Sequence, residues 1–296
     1  MRRINLGYII IIVLLVSVIL GMSQHKIQQF VNKEAFGDNN NKICCFYAYY
    51  EKNEDYKSNF EYFLENGILD SLDYYIIING NCSANIPKKT NIKVFNRENK
   101  GYDFGAYSYV IDKLSKQYDY YFFINTSVVG PYFREDNTYN GDWTVPFLEL
   151  FDKDVKVVGT SINIYISAND KRHEKLEKKY KKKDPFSHVQ SMFFCVDSEY
   201  FEHLKSINFF DEEEMNSMEF DDVIINKEIG LSQIALSNGW NINCILNGYT
   251  GVDYRKVIGD DLDPSLNYGD PYVKGTYFGK TITKEEVIFY KKYRVE

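Results

Sequence analysis

The sequence predicts an α/β protein with a mixed, mainly parallel sheet flanked by helices, and three observations carry that reading. Apolar runs of strand length alternate with segments of helical spacing, the order expected of a sheet covered on both faces. Between residues 96 and 132 a Gly-punctuated polar loop leads into a short helix and then into an apolar strand, which ends abruptly in small polar residues. The chain has 296 residues, of which 44% are hydrophobic, enough for the core of one large domain or two small ones.

Each element has its own signal. Ile43–Tyr50 reads as a first strand, and Tyr56–Asn66 as an amphipathic helix closed by Gly67. Asp73–Ile78 is a second strand, ending in the turn residues Asn79-Gly80-Asn81, and Ile92–Phe95 is a short third. Phe104–Gln117 has helical spacing through Tyr107, Val110, Ile111 and Leu114, and Tyr118–Asn125 is the fourth strand. Val155–Ile162 and His188–Asp197 are further strands, separated by a charged segment, Asn169–Lys183. Ser198–Ser206 is a short helix. Asp222–Asn238 is a longer one, carrying Ile225, Ile229, Ile234 and Leu236 and stopped by Gly239. Asn241–Leu246 is the last strand, and the tail from Gly248 is ordered loop with one short helix near Thr283–Phe289. No internal repeat is visible.

The first 23 residues are expected to be a membrane anchor. Met1-Arg2-Arg3 precedes an uncharged run from Ile4 to Met22, close to the roughly 17–25 apolar residues that a bilayer span needs. Gly21-Met22-Ser23 also makes a passable cleavage site. With Arg2 and Arg3 held in the cytoplasm, the expectation is a single-pass type II protein. Its domain over residues 43–296 would face the ER or Golgi lumen, or a host secretory membrane if the chain is viral, beyond a polar stem at residues 24–42. Asn81-Cys-Ser83, a glycosylation sequon in a loop, agrees with a lumenal face.

Composition excludes one class and leaves another open. A net charge of −7 is the wrong sign for a nucleic-acid binder. Aromatic residues make up 17% of the chain, which suits sugar stacking but equally follows from an AT-rich genome. The five cysteines (Cys44, Cys45, Cys82, Cys195 and Cys244) lack metal-site spacing. Cys44, Cys195 and Cys244 lie in strand-like runs as small buried hydrophobes. There is no Gly-x-Ser-x-Gly elbow, P-loop or His-Glu-x-x-His.

The candidate chemistry lies at strand ends, because open α/β sheets bind ligands beyond the carboxyl ends of their strands. Asn99-Lys-Gly-Tyr-Asp-Phe-Gly-Ala-Tyr107 together with Asn125-Thr-Ser-Val-Val-Gly-Pro131 resembles the rhamnan synthesis protein F family and its eukaryotic and viral relatives. Val157-Val-Gly-Thr160, His188-Val-Gln-Ser-Met-Phe-Phe194, Glu228-Ile-Gly-Leu-Ser232 and Tyr277-Phe-Gly279 follow in that family's order. The resemblance implies a GT-A, Rossmann-like fold and hexosyl or deoxyhexosyl transfer from a nucleotide sugar to a glycan acceptor. On it, Asn99, Gly101, Asp103, Asn125 and Ser127 form the donor site.

Metal-dependent enzymes of that fold hold Mn²⁺ or Mg²⁺ with an Asp-x-Asp at the fourth strand end, where hard oxygen ligands suit the ion. Here that place reads Asn125-Thr126-Ser127, two neutral oxygen ligands, with Asp103 as the one nearby carboxylate. The chain also resembles the large inverting family of the fold. Glu228, Leu231 and Gly239 take the spacings of its catalytic Asp, the following Leu and a later Gly. That similarity implies Glu228 as the base that deprotonates the acceptor hydroxyl. It is Glu in place of Asp, and Lys227 precedes it where an acid would stand. His188 and Asp253 are weaker candidates for acceptor contact, each with an ordinary structural alternative. Lys171–Lys183 reads either as an anion clamp or as a solvated face. A rival to the enzyme reading is a catalytically silent relative that binds a glycan or partner.

Overall fold

The computed structural model describes residues 41–133, 139, 141–165, 171–257 and 269–291. In chain order the elements are β1 (Ile43–Tyr49), α1 (Glu54–Asn66), β2 (Leu72–Asn79), β3 (Ile92–Arg97), α2 (Tyr102–Ile111) and β4 (Tyr120–Asn125). Next come α3 (Val145–Leu148), β5 (Val155–Gly159), β6 (Ile162–Tyr165), α4 (Lys171–Tyr180), β7 (Phe186–Val189) and β8 (Phe193–Asp197). The last group is α5 (Ser198–Ser206), α6 (Glu212–Ser217), α7 (Phe220–Val223), a π turn (Ile224–Glu228), α8 (Ile229–Ser237), β9 (Asn241–Cys244) and α9 (Lys284–Val287). All lie in one compact unit, Lys42–Glu296.

Seven strands form one sheet in the order β3-β2-β1-β4-β8-β5-β9. β3, β2, β1 and β4 run parallel, β8 is antiparallel to both β4 and β5, and β9 is parallel to β5. The expected mixed, mainly parallel architecture is therefore present. Every residue of β1 is buried and β2 is nearly so, as strands covered on both faces must be.

The aromatic residues do much of the packing. Register places Phe46 beside Tyr75 and Phe123, and Phe123 beside Phe194. Their rings stack in a row across four strands, with centroids 5.3, 4.9 and 4.5 Å apart. Such cross-strand pairs stabilise a sheet beyond the area they bury. Much of the aromatic content thus serves the core. Four of the cysteines are fully buried and all five are free thiols.

Three expected elements differ. Val155–Ile162 ends as β5 at Gly159, and Ile162 opens β6 in the second sheet. Phe104–Gln117 is helical only from Tyr102 to Ile111. His188–Asp197 is two strands in two sheets: β7 pairs with β6, β8 joins the main sheet, and Gln190–Met192 make the break. A run of apolar residues looks the same whether or not the chain changes sheets within it.

The expected membrane helix is corrected. Among the described residues no helix is long and apolar enough to cross a membrane. Among the described residues the longest continuous helical run, Phe220–Ser237, carries Asp221, Asp222, Lys227 and Glu228, which a bilayer interior would not accept. Residues 1–23, where the anchor was expected, and residues 24–40 of the stem lie outside the described residues. The type II topology and the lumenal location depended on that helix and fall with it.

Candidate functional site

A cavity of about 570 Å³ opens beyond the carboxyl ends of β1, β2 and β4, where Ala48, Asn79 and Asn125 reach its wall. This is the edge at which parallel α/β sheets bind ligands. Five sequence-predicted residues meet there: Asn99, Asp103, Asn125, Ser127 and Glu228. They come from the loop after β3, the first turn of α2, the end of β4 and the π turn.

Gly101 is not in the wall, but it shapes the loop. It takes φ 67°, and a Cβ there would lie 2.9 Å from the Met215 carbonyl oxygen. Gly105 is equally constrained, since its Cβ would stand 2.4 Å from the Lys100 carbonyl oxygen. Both glycines let the polar loop fold back tightly on α2 and α6.

Asp103, Asn125 and Ser127 form one hydrogen-bonded chain. Asn125 Nδ2 donates to Asp103 Oδ2 at 2.7 Å. Asn125 Oδ1 accepts from both the Ser127 backbone N–H at 3.0 Å and its hydroxyl at 2.6 Å. Thr126, between them, is turned inward: its hydroxyl donates to the Ala48 carbonyl at 2.9 Å and accepts from the Tyr50 N–H at 3.0 Å. It fastens the end of β4 to the end of β1. These residues do not fit Mn²⁺ or Mg²⁺, because the donor set is one carboxylate plus an amide and a hydroxyl already paired with each other. Among the described residues no three His, Cys, Asp or Glu side chains cluster as a metal site.

Burial pushes the Asp103 carboxyl up to about 6; the charge of Glu228 adds to the rise, and the bonds from Asn125 and the Phe104 N–H oppose it. The folded chain holds this proton more tightly than the unfolded chain, so the stabilisation is complete below about pH 4 and is lost as pH rises through about 6. Asp103→Asn is expected to remove this loss, which is of order 1–3 kcal/mol. Urea midpoints of both proteins between pH 4.5 and 7.5 measure it, and parallel pH profiles would refute it.

Glu228 reaches the cavity through the π turn. Ile229 N–H bonds back to the Ile224 carbonyl, five residues earlier. Such single π turns recur at functional sites because the extra residue re-aims the side chains beside it. Here Ile224 and Glu228 face the cavity while Ile225 and Lys227 are buried on the other side. Lys227 Nζ donates to the Phe209 carbonyl at 2.6 Å and pairs with Glu214 at 3.0 Å. The lysine before the expected base therefore anchors α6 and takes no part in the cavity wall.

The two weaker candidates do not reach the cavity wall. His188 is buried on β7, its Nδ1 lies 2.9 Å from the Phe186 carbonyl oxygen, and burial lowers its pKa. Asp253 is held well below the usual carboxylate range by Arg255, whose Nε donates to it at 2.7 Å, and it also pairs with Lys256. Neither lines the cavity. In the charged α4 segment, Lys178, Lys181, Lys182 and Lys183 edge a separate open depression shared with Glu174 and Glu177.

The cavity also holds residues that sequence reading passed over. Lys52 follows β1 and makes no ion pair among the described residues. The strand-end rule that singled out Asn125 applies to it equally. Gln190 lines the cavity from the break between β7 and β8, braced by the Ser161 hydroxyl at 2.6 Å and by Asp270 at 3.1 Å. Lys291 arrives by a tertiary route. Val129 and Tyr290 exchange both backbone hydrogen bonds, at 2.9 and 3.0 Å, and this pairing brings the C-terminal segment to the cavity. Gly130 permits it, since a Cβ there would lie 2.4 Å from the Ile288 carbonyl oxygen.

Three solved structures show what the chain is similar to. A galactosyltransferase in complex with donor and acceptor sugar analogues is 12% identical, over 62% of this chain and 69% of its own, at a TM-score of 0.36. A mannosyltransferase from Pyrobaculum calidifontis, in complex with GDP-Man and Mn²⁺, is 10% identical over 77% of this chain and 59% of its own, at 0.36. A 4-diphosphocytidyl-2C-methyl-D-erythritol synthase from Anaerococcus prevotii is 8% identical over 64% of this chain and 82% of its own, at 0.35. The match spans less than two thirds of the mannosyltransferase. No protein-family model and no curated protein matches the chain, so the rhamnan synthesis resemblance stands on its motif residues alone. None of these similarities carries the functional reading, which rests on the cavity.

Proposed function

We infer that the chain is a glycosyltransferase moving a hexosyl or deoxyhexosyl group from a nucleotide diphosphate sugar to a hydroxyl of a glycan acceptor, with inversion. The observation that carries this reading is that the Glu228 carboxylate shares one cavity with the polar strand end Asn125–Ser127 and with Asp103. Glu228 takes the proton of the acceptor hydroxyl as that oxygen attacks the anomeric carbon. The bond from that carbon to the diphosphate oxygen breaks on the opposite face, and the nucleoside diphosphate departs with the electron pair. Asn99, Asp103, Asn125 and Ser127 contact the donor. The charge of the departing diphosphate is offset by Lys52 and Lys291, which line the same cavity. The motif order supports the rhamnan synthesis protein F family as the finer assignment.

One observation favours a second reading, a glycan- or partner-binding protein without turnover. Asn125 Oδ1 accepts from the Ser127 hydroxyl and N–H, and its Nδ2 donates to Asp103, so the polar strand end is already satisfied within the protein. A panel of nucleotide sugars separates the two readings, following release of nucleoside diphosphate by the wild type and by Glu228→Gln. Release that depends on Glu228 establishes transfer; binding without release, unchanged by the substitution, establishes the second reading. Because the donor set suits no divalent ion, release is expected to be the same in EDTA as in Mn²⁺. Loss of activity in the chelator would show that a metal site forms with the substrate.

A further inference from the structure

Among the described residues most large apolar side chains are buried, yet two aromatic ones are exposed side by side at the cavity. Tyr102 is 44% exposed and Phe220 57%, and both line the wall that holds Glu228. Their ring centroids lie 5.4 Å apart with the planes inclined at 57°. An exposed phenylalanine forgoes the stabilisation that burial would provide. Tyr102 also stands in the left-handed region, with φ 57° directly after Gly101, a conformation that disfavours any side chain. Strain of this kind gathers at ligand clamps, where the surrounding structure holds it in place.

Placement along the helix says which ligand the pair meets. Phe220, Ile224 and Glu228 follow one another at intervals of four residues and all face the cavity. Eight residues of helix separate Phe220 from Glu228 by roughly 10–12 Å. A ligand whose hydroxyl sits at Glu228 and which follows this stripe outward reaches the aromatic pair only if it is longer than one sugar ring. Of the other aromatic residues in the described wall, Phe104 is buried, and Tyr50 and Tyr56 stand beyond the end of β1, on different elements.

We propose that Tyr102 and Phe220 form an acceptor platform: the acceptor is an oligosaccharide whose attacked residue sits at Glu228 and whose neighbouring ring lays its C–H face on these two aromatics. Sugar rings are polar at their edges and apolar on one face, and an aromatic face covers that apolar surface without needing a hydrogen-bond partner. The assignment rests on the transferase reading, since Glu228 marks the acceptor end of the cavity.

The test uses the full chain on an array of immobilised mono-, di- and trisaccharides of hexoses and deoxyhexoses, with UDP, GDP and dTDP binding measured beside it by calorimetry. The wild type is expected to retain di- and trisaccharides over monosaccharides. Phe220→Ala and Tyr102→Ala are each expected to weaken that retention by about tenfold. Phe220→Trp restores it, and nucleoside diphosphate affinity stays at the wild-type value in all three variants, which also reports that the fold is intact. The proposal is overturned if the wild type captures no glycan, if capture shows no length preference, or if the alanine variants capture as well as the wild type. It is also overturned if they lose nucleoside diphosphate binding, which would make the pair a stacking site for the base. A protein that binds no nucleoside diphosphate yet captures oligosaccharides through Phe220 would end the transferase reading and leave the platform standing.

Discussion

Glu228→Gln is expected to lower the rate of nucleoside diphosphate release in the presence of acceptor by about 10²–10⁴-fold, the usual contribution of a positioned general base. That corresponds to about 2.7–5.5 kcal/mol of transition-state stabilisation. Glutamine keeps the size and hydrogen-bonding reach of the side chain but accepts no proton. The loss therefore falls on kcat, with KM for donor and acceptor little changed. The π turn leaves no carboxylate beside Glu228 on its own helix face, where the other cavity residues are Phe220, Val223 and Ile224. Among the described residues Asp103 is the one other acid in the wall, and it is engaged with Asn125. It does not take over. A kcat unchanged by the substitution, with donor still consumed, would remove Glu228 from the mechanism.

Trp143→Ala is expected to cost about 3–5 kcal/mol of stability, read as a lower urea midpoint at unchanged slope. Trp143 is fully buried, and its indole N–H donates to the Gly67 carbonyl at 2.8 Å. Its ring meets Phe122 of β4 at 5.2 Å and Phe289 of the C-terminal segment at 5.3 Å, both edge-on. Truncation leaves a cavity that neither neighbour can fill, and for a domain held by about 5–15 kcal/mol that is a large share. The effect extends to the site, because Phe289 precedes the Tyr290 pairing that brings Lys291 to the cavity. Donor affinity is expected to fall along with the midpoint. A variant that loses stability while keeping full donor affinity would show that the C-terminal segment is held without Trp143, by its backbone bonds to Val129 and Tyr132, the Tyr272 hydroxyl and the stacking of Phe289 on Phe193.

Much of the site was legible because its parts announce themselves locally. Asn125 and Ser127 end an apolar run abruptly, and Asp103 opens the helix before it. Glu228 stands at a fixed spacing from Leu231 and Gly239. His188 and Asp253 are absent from the cavity wall, and sequence could not show this: a histidine beside a strand and an acid in a loop look the same whether they face a cavity or a neighbour. Only the fold shows His188 packed against the Phe186 carbonyl and Asp253 held by Arg255.

The sequence by itself determined the alternation of strands and helices, the buried character of β1, β2 and β4, and the polar ending of β4, since each depends on the periodicity of neighbouring residues. Tertiary structure decided the rest. It split His188–Asp197 between two sheets and so set Gln190 in the cavity wall. It turned Thr126 inward onto Ala48, closed Asn125 onto Asp103, and paired Val129 with Tyr290 so that Lys291 reached the site. Each of these outcomes depends on contacts between residues far apart in the chain. A side chain's neighbours across such distances are set by how the sheet twists and where its loops meet, and no local pattern records that.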